Sequence, residues 1–321
     1  GIYLAGQSLK TSQITEVFEN QKRANLQFQD VDLLKSQIGL LVQGRERYTD
    51  IGQFRDDEVF MKSLEIKAVA SEETLRQRLE KMPITHNKLL KQTNLQLLKK
   101  RKLGSITKAG MTFIPLDMDV SPLDNSQSKK EFVGWTYKGH DGYAPIFSYI
   151  GSEGFMLSNE LRPGSQHSQK GMPQFLDENF EFVKQLKLEH PVLLRLDSAH
   201  DAEINFAHLP DEHNFIIKRN LRRENRGQWL AMARAVGRKL ESSEGKNIYV
   251  GEVHHKHPGN KKDRAVVPVI FKVTETTIDS DGNTLLMSEI KVDTYWTNLP
   301  LEAQEIIELY QDLATSEQYH S

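Results

Sequence analysis

Residues 113–120 read FIPLDMDV and residues 192–197 read VLLRLD. Each is a short apolar run of the kind that forms a buried strand. Each also carries carboxylates at or near its C-terminal end: Asp117 and Asp119 in the first, Asp197 in the second. An apolar strand tends to bury its neighbours, and a buried carboxylate is costly unless it is paired or bound to a cation. In an open α/β sheet, ligands collect outside the C-terminal ends of the strands. The two stretches together therefore predict an α/β fold with a polar site at its strand ends.

The pattern continues outward from the first strand. Residues 143–150 (YAPIFSYI) and 155–161 (FMLSNEL) read as the next two strands, joined by the turn Gly151-Ser-Glu-Gly154. Residues 175–189 read as a helix with Phe180, Val183 and Leu186 on one face, ended by Pro191. After the VLLRL strand, a helical turn leads to a strand at residues 214–218 (NFIIK). Residues 248–254, 266–274 and 284–295 are extended, and Asp279-Ser-Asp-Gly-Asn283 is a hairpin turn signal. Helix returns over 301–318 behind Pro300. There, Tyr310, Leu313 and Glu317 stand at helical spacing on one face. Before all of this, residues 1–104 are mainly helical. Ser71 is a predicted N-cap, with Glu72 and Glu73 in the first turn.

The chain has 321 residues, a formal net charge of -2 and no cysteine. The missing cysteine excludes a disulfide scaffold, thiolate zinc sites and cysteine nucleophiles. No apolar run approaches the roughly 18 residues of a membrane span. The opening GIYLAGQSLK has neither a basic start nor a cleavage-like site, so a cytoplasmic location is expected. The near-zero net charge hides an asymmetry. Residues 214–272 hold 14 Lys plus Arg against 5 Asp plus Glu, a local net of +9. Residues 274–321 hold 10 acidic residues and one basic residue, a local net of -9. Residues 88–102 add six basic residues and no acidic one. Such blocks fit either a polyanion-binding face or an unevenly charged solvated surface.

These stretches make the chain resemble a bacterial insertion-sequence transposase of the DDE class, in its Tyr-x-x-Arg-x-x-x-Glu branch. The similarity runs through FRDD (54–57), SEETLRQRL (71–79), PLDMDVSPLDNSQSKKE (115–131), YKGHDGYAP (137–145), LRPGSQHS (161–168), RLDSAHD (195–201) and YQDLATSEQYHS (310–321). The resemblance implies an α/β, ribonuclease H-like catalytic core interrupted by a mainly β insertion and preceded by a helical N-terminal domain. The corresponding boundaries are a helical DNA-binding region over 1–104, a first core part over 105–222, a β-rich insertion over 223–297 and a core helix over 298–321.

Carried over by position, the resemblance implies Asp119, Asp197 and Glu317 as catalytic residues that hold two Mg²⁺ or Mn²⁺ ions. Asp119 is followed by Val120-Ser121, as in the family's Asp-x-Thr/Ser pattern. Asp117 is the alternative, because side chains two apart on a strand face the same way. The family further implies DNA as partner, a homo-oligomer on paired DNA ends, and a nucleoid-associated location. Two departures stand out. Leu313 occupies the position of the family's Arg, and the family's Lys, seven residues after the Glu, would fall beyond Ser321. With no initiator Met, the chain therefore reads as truncated at both ends.

Lys218, Arg219, Arg222, Arg223 and Arg226 are expected to track the phosphate backbone, joined by Lys138 and Tyr310. Trp229 and Trp296 are read either as core or as stacking on a base. His254, His255 and His257 are read as surface or phosphate contacts, because His254 points away from the other two on a strand. The function expected is metal-dependent cleavage at element ends followed by strand transfer. The rival readings are an inactive DNA-binding remnant and a related metal nuclease.

Overall fold

A computed structural model describes residues 1–24, 26–240, 243–256, 266–279 and 281–312. The chain divides into two compact units, Gly1–Lys102 and Leu103–Ser321. Leu313 and Glu317, His257 and Ser280 lie outside the described residues. Among the described residues, no helix is long and apolar enough to cross a membrane.

The first unit is helical. Its helices are α1 (Ile2–Thr11), α2 (Ile14–Val17), α3 (Asp30–Val42), α4 (Glu58–Leu64), α5 (Glu72–Glu80) and α6 (Thr85–Leu98). Leu33, Leu40, Ile51, Phe60, Leu64 and Leu75 form one apolar cluster, and Ile14, Phe18, Val31 and Leu34 form a second. The Ser71 cap expected from sequence is present: its hydroxyl accepts from the Thr74 N–H at 3.3 Å. Asp30 is buried, but its carboxylate meets the Arg78 guanidinium and, at 3.2 Å, His86 Nε2. The basic run ends in exposed Lys99, Lys100, Arg101 and Lys102.

The second unit is built on one large sheet. Its strands are β1 (Ile106–Lys108), β2 (Met111–Val120), β3 (Leu123–Asp124), β4 (Gly134–Trp135), β5 (Asp141–Tyr143), β6 (Ile146–Ile150), β7 (Phe155–Glu160), β8 (Val192–Leu196), β9 (Asn214–Arg219), β10 (Arg238–Leu240), β11 (Lys246–Lys256), β12 (Val266–Ile278) and β13 (Thr284–Thr297). Its helices are α7 (Met172–Leu186), α8 (Glu203–Phe206), α9 (Arg226–Val236) and α10 (Ala303–Gln311). The sheet runs β10-β11-β12-β13-β9-β8-β2-β6-β7, with β1 beside β2. Within it, β2, β8 and β9 are parallel, whereas β6 and β7 join antiparallel. Counted along the chain, these five strands lie in the order 3-2-1-4-5, the ribonuclease H-like arrangement. β3, β5 and β4 form a small separate sheet.

Three details differ from the sequence reading. The strand expected over 143–150 begins only at Ile146, because Pro145 interrupts it and Tyr143 pairs in the small sheet. Residues 226–236, within the segment expected to be β-rich, form a helix. The Asn225 side chain accepts from the Gly227 and Gln228 N–H groups and starts α9. The last helix starts at Ala303, after Pro300, where Glu302 and Glu305 form a capping box. In addition, the three long strands of the β-rich segment do not form a layer of their own. β13 pairs with β9, so they lengthen the core sheet.

Strand alternation sorts the two faces. Phe113, Leu193, Ile216, Ile270 and Tyr295 point to the face covered by Ile306, Ile307 and Leu309 of α10. On the other face, Ser148 Oγ donates to Asn179 of α7 at 2.5 Å, Arg234 of α9 pairs with Glu275 at 2.7 Å, and Phe206 of α8 packs on Phe215 and Trp296.

On the α10 face, Arg195 of β8 donates two bonds to Asp117 of β2, Nε to Oδ1 at 2.6 Å and Nη2 to Oδ2 at 2.7 Å. Its Nη1 donates to the Leu309 carbonyl at 2.8 Å. Both side chains are buried. Asp117→Ala is expected to cost about 3–5 kcal/mol, because it strands a buried guanidinium. Joint replacement by Leu at 117 and Met at 195 should cost less than the single change. Ser71→Ala should cost about 1 kcal/mol in the first unit. Urea unfolding of the three variants checks all three expectations.

Candidate active site

β2 and β8 are parallel, with Met118 opposite Leu196 as the last pair of their register. One residue further on, Asp119 and Asp197 stand side by side on adjacent strands, which are spaced by roughly 4.8 Å. Odd-numbered residues of both strands face α10, so Asp119 and Asp197 point to the same side of the sheet. Here the two aspartates of β2 part company. Asp117 is consumed by Arg195. Asp119 lines an open cleft with Asp197 and accepts the Val120 N–H at 2.7 Å.

The cleft has a volume of about 1030 Å³. Its walls include Tyr310, Lys138, Lys218, Lys291, Asp293 and Tyr295. Lys218 on β9 and Asp293 on β13 meet at 2.8 Å, and Lys291 approaches the same carboxylate at 3.9 Å. Tyr310 lies against Tyr295, with ring centroids 4.8 Å apart. Asp293 and Lys291 were not singled out in the sequence. Their signal was there, since Glu289, Lys291, Asp293 and Tyr295 alternate along one strand with apolar or neutral residues between them. Nothing in that alternation told which face the site would use.

The electrostatics follow from this geometry. The Asp197 side chain is 42% exposed, yet the protein walls around it remove enough water to raise its pKa. The Ala199 N–H and the Lys218 ammonium pull it partly back. The Tyr310 phenol is pushed well up by burial and by Asp197, so it remains a proton donor at neutral pH. Burial pushes Tyr295 up as well. Next to Asp197, His200 is fully buried, and its Nε2 lies 3.7 Å from the carboxylate, beyond hydrogen-bond reach. Neither of its ring nitrogens has a hydrogen-bond partner among the described residues. Desolvation and the Arg162 charge lower its pKa from 6.5 to about 4.

The basic run after β8 divides. Lys218 faces the cleft, and Arg219, one residue on, faces the opposite side. There its guanidinium pairs with Glu224 and stacks 5.4 Å over Trp296. Arg222, Arg223 and Arg226 are exposed. Trp229 and Trp296 are core residues, 7% and 5% exposed. His255 stacks on Trp229, while His254 pairs with Glu252 at 3.3 Å on the other face.

Two carboxylates on neighbouring strand ends, one with a raised pKa, are oxygen donors suited to a hard divalent cation. Among the described residues, no group of three His, Cys, Asp or Glu converges further. Glu317, the third residue expected, lies outside the described residues.

The sequence matches the family described as transposase DDE domain group 1 over residues 7–319, and the chain belongs to that family. Among solved structures it is similar to piggyBac transposase in a synaptic complex with hairpin DNA. That match has 11% identity and a TM-score of 0.41, covering 95% of this chain and 62% of that one. It is also similar to Mos1 transposase in a paired-end complex with the left transposon end. There the identity is 14% and the TM-score 0.21, with 59% of each chain covered. The chain therefore spans less than two thirds of the length of either protein. No curated protein matches it.

Two titrations test this site. Asp197 holds its proton more tightly folded than unfolded, so its ionisation weakens the fold as pH rises through and above 3.8. Asp197→Asn should therefore be at least as stable as the wild type at neutral pH. His200 works in the opposite direction. The unfolded chain takes up a proton near pH 6.5 that the folded one refuses until about 4, so stability falls with acidification across that window. His200→Leu should flatten that fall. Denaturation midpoints between pH 7 and pH 4 give both answers.

Proposed function

We propose that this chain is the catalytic part of a DNA transposase that cleaves at the ends of its element and joins the freed strand to target DNA. The observation that carries the reading is the placement of Asp119 and Asp197 on adjacent strand ends within one cleft. Asp119 and Asp197, with Glu317, would hold Mg²⁺ or Mn²⁺. When bound, the metal supplies activation of water and neutralisation of charge on the phosphodiester. The chain's own residues supply position. Tyr310, kept protonated, can donate to a phosphate oxygen, and Lys138 offers a positive charge at the cleft wall. Lys218 balances Asp293 and Asp197, which limits repulsion among the acids before DNA arrives. Arg222, Arg223 and Arg226 provide exposed contacts for the backbone, and the helical unit with Lys99 to Lys102 provides a second. Assembly as a homo-oligomer on two DNA ends belongs to the same reading.

A second reading follows from one substitution. Leu313 stands where the Tyr-x-x-Arg-x-x-x-Glu branch that the sequence resembles would have Arg, and leucine cannot bind phosphate. A chain that binds DNA ends without cutting them would be a remnant, and one that hydrolyses without joining would be a nuclease.

The test uses DNA taken from either flank of the chain's own coding sequence, with Mg²⁺. Cleavage and joining should both occur, and Asp119→Asn and Asp197→Asn should each lower them by at least about a hundredfold while leaving DNA binding intact. Mg²⁺ should raise the melting temperature of the wild type and leave that of Asp197→Asn unmoved. Binding without cleavage in the wild type would favour the remnant. Restored cleavage in Leu313→Arg would identify that position as the cause.

A further inference from the structure

Beside the cleft lies the small β3-β5-β4 sheet, and it presents aromatic side chains to solvent. Trp135 is 65% exposed and Tyr137 is 68% exposed, whereas Thr136 between them is buried. Of the three tryptophans, Trp135 is the one the core does not use. We propose that this flap is a stacking platform for the bases of a single-stranded DNA segment at the mouth of the carboxylate cleft, with Trp135 and Tyr137 receiving the bases. The inference rests on the transposase reading and adds a binding site to it.

Three observations support it. The platform adjoins the reacting groups, because Tyr137, Lys138 and Leu123 line the same cleft as Asp119 and Asp197. The Tyr137 hydroxyl donates to the Val120 carbonyl at 2.8 Å, one residue beyond Asp119. A base stacked there would therefore belong to the strand entering the cleft.

The platform is also built to hold its shape. The Thr136 N–H and hydroxyl both reach the His140 carbonyl at 2.9 Å, and the Tyr143 hydroxyl donates to the Glu131 carbonyl at 2.7 Å. Behind the flap the backbone packs directly on Gly164. A Cβ there would lie 2.2 Å from the carbonyl oxygens of Gly134 and Gly142. Rings held on such a support lose little freedom when a base stacks on them.

Charge, finally, sorts bases from backbone. Asp141 is the cross-strand neighbour of Trp135. An acid there opposes a phosphate laid directly over the ring but not the uncharged face of a base. Of the exposed lysines near the flap, Lys129, Lys130 and Lys138, the last lines the cleft, where the phosphates of the same strand would run.

The experiment compares binding of the full chain to a blunt duplex and to the same duplex carrying a short single-stranded thymidine tail. The wild type should bind the tailed probe more tightly, with quenching of tryptophan fluorescence. Trp135→Ala should lose about tenfold in affinity for the tailed probe, with the blunt duplex, the salt dependence and the melting temperature unchanged. Trp135→Phe should recover most of the loss. Equal binding of the two probes by the wild type would overturn the platform and leave the transposase reading standing. So would a tail preference that survives Trp135→Ala. A shift of Trp135→Ala in sedimentation with tail binding intact would also overturn it, and would mark a contact between copies. Failure to bind either probe would overturn both readings.

Discussion

The buried pair of Asp117 and Arg195 is the interaction on which the site depends. It joins β2 to β8 through two hydrogen bonds and reaches α10 through the Leu309 carbonyl. Those three elements carry Asp119, Asp197 and Tyr310 respectively. One residue, Met118, separates Asp117 from Asp119, and one, Leu196, separates Arg195 from Asp197. The neutralised pair thus holds the strands in register directly behind the open carboxylates. A buried ion pair adds little net stability compared with apolar packing, but breaking it is costly. Such an interaction suits a place where alignment matters more than strength. Here it keeps two like-charged groups close together, which their mutual repulsion alone would not allow.

Alternation along the strands then decides which charges serve the cleft. Lys218 and Arg219 are neighbours in sequence and belong to opposite faces of the sheet. The first balances Asp293 in the cleft, and the second is locked between Glu224 and Trp296. The strands of the β-rich segment take part in this sorting because they continue the core sheet through the β9-β13 pairing. The cleft is therefore walled partly by that segment, which contributes Lys291, Asp293 and Tyr295. The same burial that raises the pKa of Asp197 keeps Tyr310 protonated.

The flap shows the complementary strategy. Where the sheet presents carboxylates held by a salt bridge, the small sheet presents aromatic rings held by backbone packing on Gly164. On the proposed reading, the former would meet phosphates through a metal and the latter would meet bases through stacking. Both lie within one unit of the chain.

Much of this was legible in the sequence. VLLRL formed a strand with the expected ends, Ser71 capped its helix, and LDMD and RLDS brought carboxylates to neighbouring strand ends. Periodicity, capping and strand-end position are local properties, and local properties are written in consecutive residues. The sequence did not separate Asp117 from Asp119, because both point the same way and only the location of Arg195 distinguishes them. Nor did it show that Trp229 and Trp296 are buried while Trp135 is exposed, or that Asp293 joins the cleft. Those outcomes depend on which strands become neighbours and which face each helix covers. They are long-range contacts between residues many positions apart, and only the folded chain decides them.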